Sequence, residues 1–248
     1  MDTNTIRQIE EAGLNAWPAH QQLLYDGWLL RFADGYTKRA NSVNPLYPSR
    51  LQLQTKIERC EAQYCRMGLP PVFRLTPLAG AGLDEALARR GYQVLHPTRV
   101  LTLDLQGWRA PDLAACSVRH LPLEQWMGVF SEISGSLVAK QPAHAQILRN
   151  ILNPYICAAI EIDGRWLACG LGVQEGGWFG LFDIITHPEH RRQGLSTCLI
   201  AGMLDWARRQ GARRSYLQVM ENNLPALGLY DKLGYTDGYG YWYRLPPG

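Results

Sequence analysis

The sequence predicts an α/β protein of 248 residues in two halves, the second complete and the first a shortened copy of it. Three observations carry that expectation. Short apolar runs of strand length alternate with longer runs of helical spacing. From Trp178 to Arg209 a strand, a basic loop with one glycine and a helix follow one another directly. Punctuation residues in the two halves share one offset of 143 positions: Gly27 with Gly170, Pro45 with Pro188, Gly68 with Gly211, and Gly91-Tyr92 with Gly234-Tyr235.

Thr5 to Leu14 reads as a short helix with Ile6 and Ile9 on one side. Gly27 to Phe32 reads as a strand, Ala33-Asp34-Gly35-Tyr36 as a turn, and Thr37 to Asn44 as a second strand. A helix from Arg50 to Met67 is stopped by Gly68 and Pro70-Pro71. A strand (Val72 to Thr76), a helix (Leu83 to Arg90) and a strand (Tyr92 to Leu105) complete the first half, and Gly107 to Ala114 reads as the linker. The second half opens with a strand at Ser117 to Arg119 and helices near Leu123–Ser134 and Ala143–Leu152. Strands follow at Tyr155–Ile162, Trp166–Gln174 and Trp178–Ile185. After the basic loop come a helix (195–210), a strand (214–219), a helix (223–233) and strands at 235–239 and 241–245.

Apolar content of 46% and charged content of 19% are those of a globular chain with ample core. A net charge of +3 gives no footprint for nucleic acid. Six cysteines show no C-x-x-C and no zinc spacing with histidine, so no metal is expected and the cysteines read as small hydrophobes. No signal segment and no membrane-length apolar run is visible, and a cytoplasmic protein, monomeric or homodimeric, is the expectation.

The loop Thr186 to Thr197 is where chemistry concentrates. A helix opening at Leu195 leaves backbone N–H groups without partners and carries the positive end of the helix dipole. Gly194 permits close backbone approach, and Arg191 and Arg192 add positive charge. The strand, the loop and the helix start together make a phosphate site. In the first half, Pro48, Leu51 and Leu53 stand at the positions of Arg191, Gly194 and Ser196, so the same site is not expected there.

Arg191-x-x-Gly194-x-Ser196 resembles the diphosphate loop of the GCN5-related N-acetyltransferases, written Q/R-x-x-G-x-G/A. Ser196 replaces the usual Gly or Ala but is also small. Thr186-His187-Pro188 takes the place of the family's Val-x-Pro. Further on, Asn223-x-x-Ala226-x-x-x-Tyr230 with Lys232-x-Gly234-Tyr235 is similar to the family's N-x-x-A-x-x-x-Y and K-x-G-F/Y segment. The resemblance covers roughly Ser117 to Leu245. It implies the acyl-CoA N-acyltransferase fold, a mixed sheet flanked by helices, and acetyl-CoA as co-substrate. It also implies a degenerate N-terminal domain over 1–107 and a catalytic domain over 115–248.

On that resemblance, Arg191, Arg192, Gln193, Gly194, Leu195, Ser196 and Thr197 hold the diphosphate, and the backbone of Ile184, Ile185 and Thr186 holds the pantetheine arm. Asn223 both caps its helix and touches that arm, and Tyr230 is the acid that protonates the departing thiolate. Two carboxylates compete for the base. Asp183 interrupts an apolar strand, as a base or as a buried partner of an arginine, and Glu221 follows the strand at 214–219. His187 and His190 flank the loop. For the acceptor, Arg39, Asn41 and Asn44 on the polar strand 37–44 either face a wet cleft or belong to a plain edge strand. Trp178 and Tyr241 either form an aromatic wall or belong to the core. The expected acceptor is a small primary amine. A protein amine, another acyl-CoA donor, or a CoA-sensing module without turnover are the rivals.

Overall fold

The computed structural model describes residues 1–111, 117–135 and 142–247. The chain divides into two compact units, Met1–Val100 with Gly238–Gly248, and Leu101–Asp237. This differs from a division at the linker 107–114, of which 112–114 lie outside the described residues. The last strand is the cause. Thr236–Leu245 is one strand rather than the expected two, and its residues Trp242, Tyr243 and Arg244 pair antiparallel with Leu75, Arg74 and Phe73 of the first unit.

The first unit opens with α1 (Thr3–Ala16), whose start is capped by Asp2 Oδ1 accepting from Thr5 N at 2.9 Å. Strands β1 (Gln21–Tyr25) and β2 (Trp28–Phe32) form a hairpin turned by Asp26-Gly27, both left-handed. The sequence reading did not contain β1. Strand β3 (Val43–Pro45), α2 (Leu53–Arg66), β4 (Phe73–Leu75) and α3 (Leu83–Arg89) follow, then β5 (Gln93–Asp104), which crosses into the second unit. Within the first unit the strand order is β1-β2-β3-β4, then the last strand. A core of Trp28, Leu30, Phe32, Ile57, Tyr64, Phe73, Leu75 and Leu87 holds it together. Beneath lies a buried polar cluster in which Arg74 and Tyr239 both donate to Glu10.

The expected strand 37–44 is corrected. Lys38–Ala40 form a short 3-10 turn, and only Val43–Pro45 is strand. The reason is Asn41, which is buried. Its Oδ1 accepts from Ala33 N (2.7 Å) and Gly35 N (3.0 Å), and its Nδ2 donates to Thr37 O (2.8 Å), so its amide builds the turn. Asn44 is also buried and donates to Ser42 O at 2.8 Å, while Arg39 stacks over the Trp17 ring at 5.4 Å. These side chains hold local structure instead of lining a wet cleft.

The second unit contains β6 (Val118–His120), α4 (Leu123–Ser134), α5 (Pro142–Arg149), β7 (Tyr155–Ile162), β8 (Arg165–Glu175) and β9 (Trp178–Thr186). Then come α6 (Leu195–Arg209), β10 (Arg214–Met220) and α7 (Leu224–Lys232), and the final strand is β11 (Thr236–Leu245). The end of β5 leads a sheet ordered β5-β10-β9-β8-β7-β6. It is mixed: β6 to β9 are antiparallel in succession, and β9 and β10 are parallel. Leu199, Ile200, Met203 and Leu204 of α6 pack with Ile156, Ile160, Phe179 and Leu217 in a core of its own. The run β3-α2-β4-α3 of the first unit repeats the order β9-α6-β10-α7, and β3–β4, like β9–β10, is a parallel pair.

Four described cysteines are free thiols, and burial raises Cys60 and Cys157 to about 12. Cys198 on α6 is disulfide-bonded, against its reading as a plain hydrophobe. Among the described residues no helix is long and apolar enough to cross a membrane.

Candidate active site

The site begins with a defect in β9. Cys169 pairs with Ile185 and Leu171 with Phe182, so Asp183 and Ile184 together face the single residue Gly170. This is a β-bulge, and it forces Asp183 into left-handed backbone at φ 48°. Glycine opposite leaves room for Ile184, whose Cδ1 would stand 2.5 Å from a Cβ at position 170 and would have to move. On the other edge of β9 the parallel register with β10 ends at Leu181↔Leu217. Yet β9 runs on to Thr186 and β10 to Met220. A gap therefore opens between them, bordered by the backbone of Phe182 to Thr186.

At the end of that gap the chain makes a 3-10 turn, Pro188–His190, and then the loop 191–194. Arg192 (φ 65°) and Gly194 (φ 81°) are left-handed, and Arg191, Arg192, Gln193 and Gly194 are all exposed. The first intrahelical amide bond of α6 is Cys198 N to Gly194 O, and no side chain caps the helix. The amides of Leu195, Ser196 and Thr197 thus precede the helical ladder. A Cβ on Gly194 would meet nothing within 4 Å, so the space above the loop is open. Thr186 and Ser196 hydroxyls lie 2.6 Å apart and tie the end of β9 to the first turn of α6. The serine that departs from the motif is the residue that makes this tie.

Asp183 has a partner that the sequence reading missed. His144 Nε2 lies 3.2 Å from Asp183 Oδ2, and no arginine takes that place. The His144 side chain is 2% exposed and that of Asp183 21%. Phe130 of α4 packs edge-on against the imidazole at 5.5 Å. The only signal in the sequence was a histidine in a short helical run near residue 143, too common to single out.

Tyr230 is buried on α7 beside Tyr235, ring centroids 5.8 Å apart, and burial pushes its phenol up to about 12. It keeps its proton at neutral pH. Asn223 caps α7 through Oδ1, accepting from Ala226 N at 3.3 Å. Glu221 is exposed in the turn after β10. The aromatic wall is corrected. Trp178, 5% exposed, packs on Tyr216 with Arg214 over its ring at 5.3 Å. Tyr241, 3% exposed, lies under Arg74 at 3.8 Å in the first unit. Both rings are core, because large aromatics bury more area there than any rim position offers.

The structure thus sets a bulged strand, a splayed parallel pair and an uncapped helix behind a basic loop side by side. Residues 3–244 match a family described as "Probable histone acetyltransferase Rv0428c C-terminal". The chain belongs to this family, within the GCN5-related N-acetyltransferases. It is 30% identical over 249 aligned residues to "Uncharacterized N-acetyltransferase YobR" of Bacillus subtilis, covering 97% of this chain and 98% of that one. In fold it is similar to a GCN5-related N-acetyltransferase from Kribbella flavida. The TM-score is 0.75 at 17% identity, over 98% of this chain and 95% of the other. It is also similar to a tandem protein of the family from the clavulanic acid biosynthesis pathway. There the TM-score is 0.66 at 14% identity, with 97% and 88% covered. The protein is an N-acetyltransferase.

Proposed function

We propose that this N-acetyltransferase moves the acetyl group of acetyl-CoA directly to the primary amine of a small molecule, in a ternary complex. The second unit carries the chemistry, and the first is a shortened copy without a working diphosphate loop. The observation that carries the reading is the gap beyond Leu181↔Leu217, which ends at the open amides of α6. An extended thioester arm fits such a gap by hydrogen bonding to the β9 edge at Ile184 to Thr186. Its diphosphate then meets Arg191, Arg192 and the amides from Gln193 to Thr197.

In this reading the Asp183–His144 pair takes the proton of the incoming ammonium, and the carboxylate stabilises the imidazolium that forms. The neutral amine attacks the thioester carbonyl, the C–S bond breaks, and the sulfur leaves as thiolate. Tyr230 donates its proton to that sulfur, and the acylated nitrogen gives up its remaining extra proton to restore the tyrosine, leaving free CoA and the neutral amide. Glu221 has no such enclosure and serves at most at the rim. A protein amine is the second reading, favoured by the histone acetyltransferase named in the family description.

The test is incubation with acetyl-CoA and a panel of small amines, with histone and peptide amines alongside, while free thiol is followed. Turnover on a small amine supports the proposal. Turnover on protein amines alone transfers the site to the second reading. A CoA-dependent rise in melting temperature without turnover on any amine would mark a sensor instead.

A further inference from the structure

We propose that His187, Glu189 and His190 bind a divalent transition-metal ion at the lip of the diphosphate loop. One ligand atom from each side chain lies within 4.8 Å of the other two. The 3-10 turn Pro188–His190 is the cause. His187 is its N-cap and His190 its last residue, so the turn folds the two histidines back toward each other. His190 N donates to His187 O at 2.9 Å and fixes that relation. The two imidazoles sit 5.5 Å apart, edge to face. Glu189, between them in sequence, is exposed and free to swing in. The Nδ1 of His187 is buried without a hydrogen-bond partner, so no hydrogen bond at that atom commits the ring to a structural role.

The donor set decides the class of ion. Two imidazole nitrogens and one carboxylate suit zinc, nickel or cobalt, whereas magnesium and calcium prefer oxygen alone. Metal–ligand bonds of ~2.0–2.2 Å require the three atoms to close by roughly 1 Å, which side-chain rotation supplies. Three protein ligands leave a coordination position for water or an oxygen anion. Arg191 to Gly194 follow at once in the chain, so the ion adds two positive charges beside the loop. It should therefore tighten the hold on a diphosphate. That coupling rests on the function proposed above, but the ion site itself does not. A zinc-spacing search of the sequence misses the group, because two of its ligands come from one turn of three residues.

Calorimetric titration of the full chain with nickel or zinc chloride, in a non-chelating buffer, tests the site. The expected result is one ion per chain with micromolar affinity, weakened at least tenfold in His187→Ala and in His190→Ala. Glu189→Gln, an exposed change, gives the same reading should a histidine variant fail to fold. Absence of one-to-one binding, or affinity unchanged across the variants, overturns the site. Acetyl-CoA is then titrated with and without nickel. Several-fold tightening in the wild type and none in His190→Ala is expected, and acetyl-CoA should tighten nickel by the same factor. Unchanged acetyl-CoA affinity in the nickel-loaded protein overturns the coupling. If acetyl-CoA binds in neither state, the proposed function fails while the metal titration still stands.

Discussion

Residues 48–53 of the first unit and 191–196 of the second occupy matching places before α2 and α6, yet the first is bonded to a carboxylate of the chain itself and the second is open. In the first unit the amides of Arg50 and Leu51 donate to the Asp26 carboxylate at 3.0–3.1 Å. The buried ammonium of Lys56 stands 3.1 Å from the same carboxylate. The Leu51 N–H is the leading cause that holds Asp26 below the usual carboxylate range. In the second unit no side chain caps the helix and the loop is exposed. A leucine, Leu199, stands where Lys56 does in the first. A cavity of about 350 Å³ remains beside the first loop, lined in part by Leu51, Leu53 and Leu83. A loop of this shape draws an anion through its backbone. In the first unit a single internal aspartate supplies that anion.

The comparison can be broken from either side. The largest effect is expected from Gly194→Trp, which fills the open space above the second loop and places a bulky residue at φ 81°. Acetyl-CoA binding should fall below detection by calorimetry while the fold persists by circular dichroism. Leu51→Gly in the first unit should gain no diphosphate binding, because Asp26 still holds the amides.

Tyr230→Phe should lower turnover by ~10²–10⁴, the usual worth of a positioned acid, with acetyl-CoA affinity nearly unchanged. Because burial holds the phenol protonated up to about 12, turnover should not decline through this group as pH rises from neutrality toward 10. Stability follows the same sign. Below its ordinary value of 10.0 the tyrosine is neutral in both states. Between there and about 12 the unfolded chain ionises first, so the melting temperature should drop over that window.

His144→Gln should reduce turnover by about tenfold or more at neutral pH, and by less as the amine deprotonates itself in alkali; an equal loss at every pH would remove the base role. The smallest effect on catalysis comes from Asp26→Ala. It should leave acetyl-CoA affinity intact but lower the melting temperature, because it takes the carboxylate away from a buried ammonium and from two amides. Adding Lys56→Met should recover part of that loss.

Much of this was legible in the chain. The offset of 143 and the loop 191–196 predict the repeated element order and the helix start after Gly194, because the glycine and the helix start are local features. The order of the second unit's elements follows from periodicity in the same way. The misses share one physical origin. The expected strand 37–44 is polar on both faces, and buried Asn41 trades a ladder there for bonds to Ala33, Gly35 and Thr37. Trp178 and Tyr241 look like a binding wall until their burial is known. The hairpin at Asp26-Gly27 carries the same Asp-Gly cue as Asp34-Gly35, and only pairing in space chooses between them.

The sequence by itself determined the family and the strand–loop–helix run from Trp178 to Arg209, since both are written in contiguous residues whose backbone demands are local. Only the tertiary structure decided what Asp183 pairs with, what fills the first loop and where β11 belongs. Those outcomes depend on pairs such as Asp183–His144, Asp26–Leu51 and Trp242↔Leu75, residues far apart in the chain that folding alone brings within bonding distance.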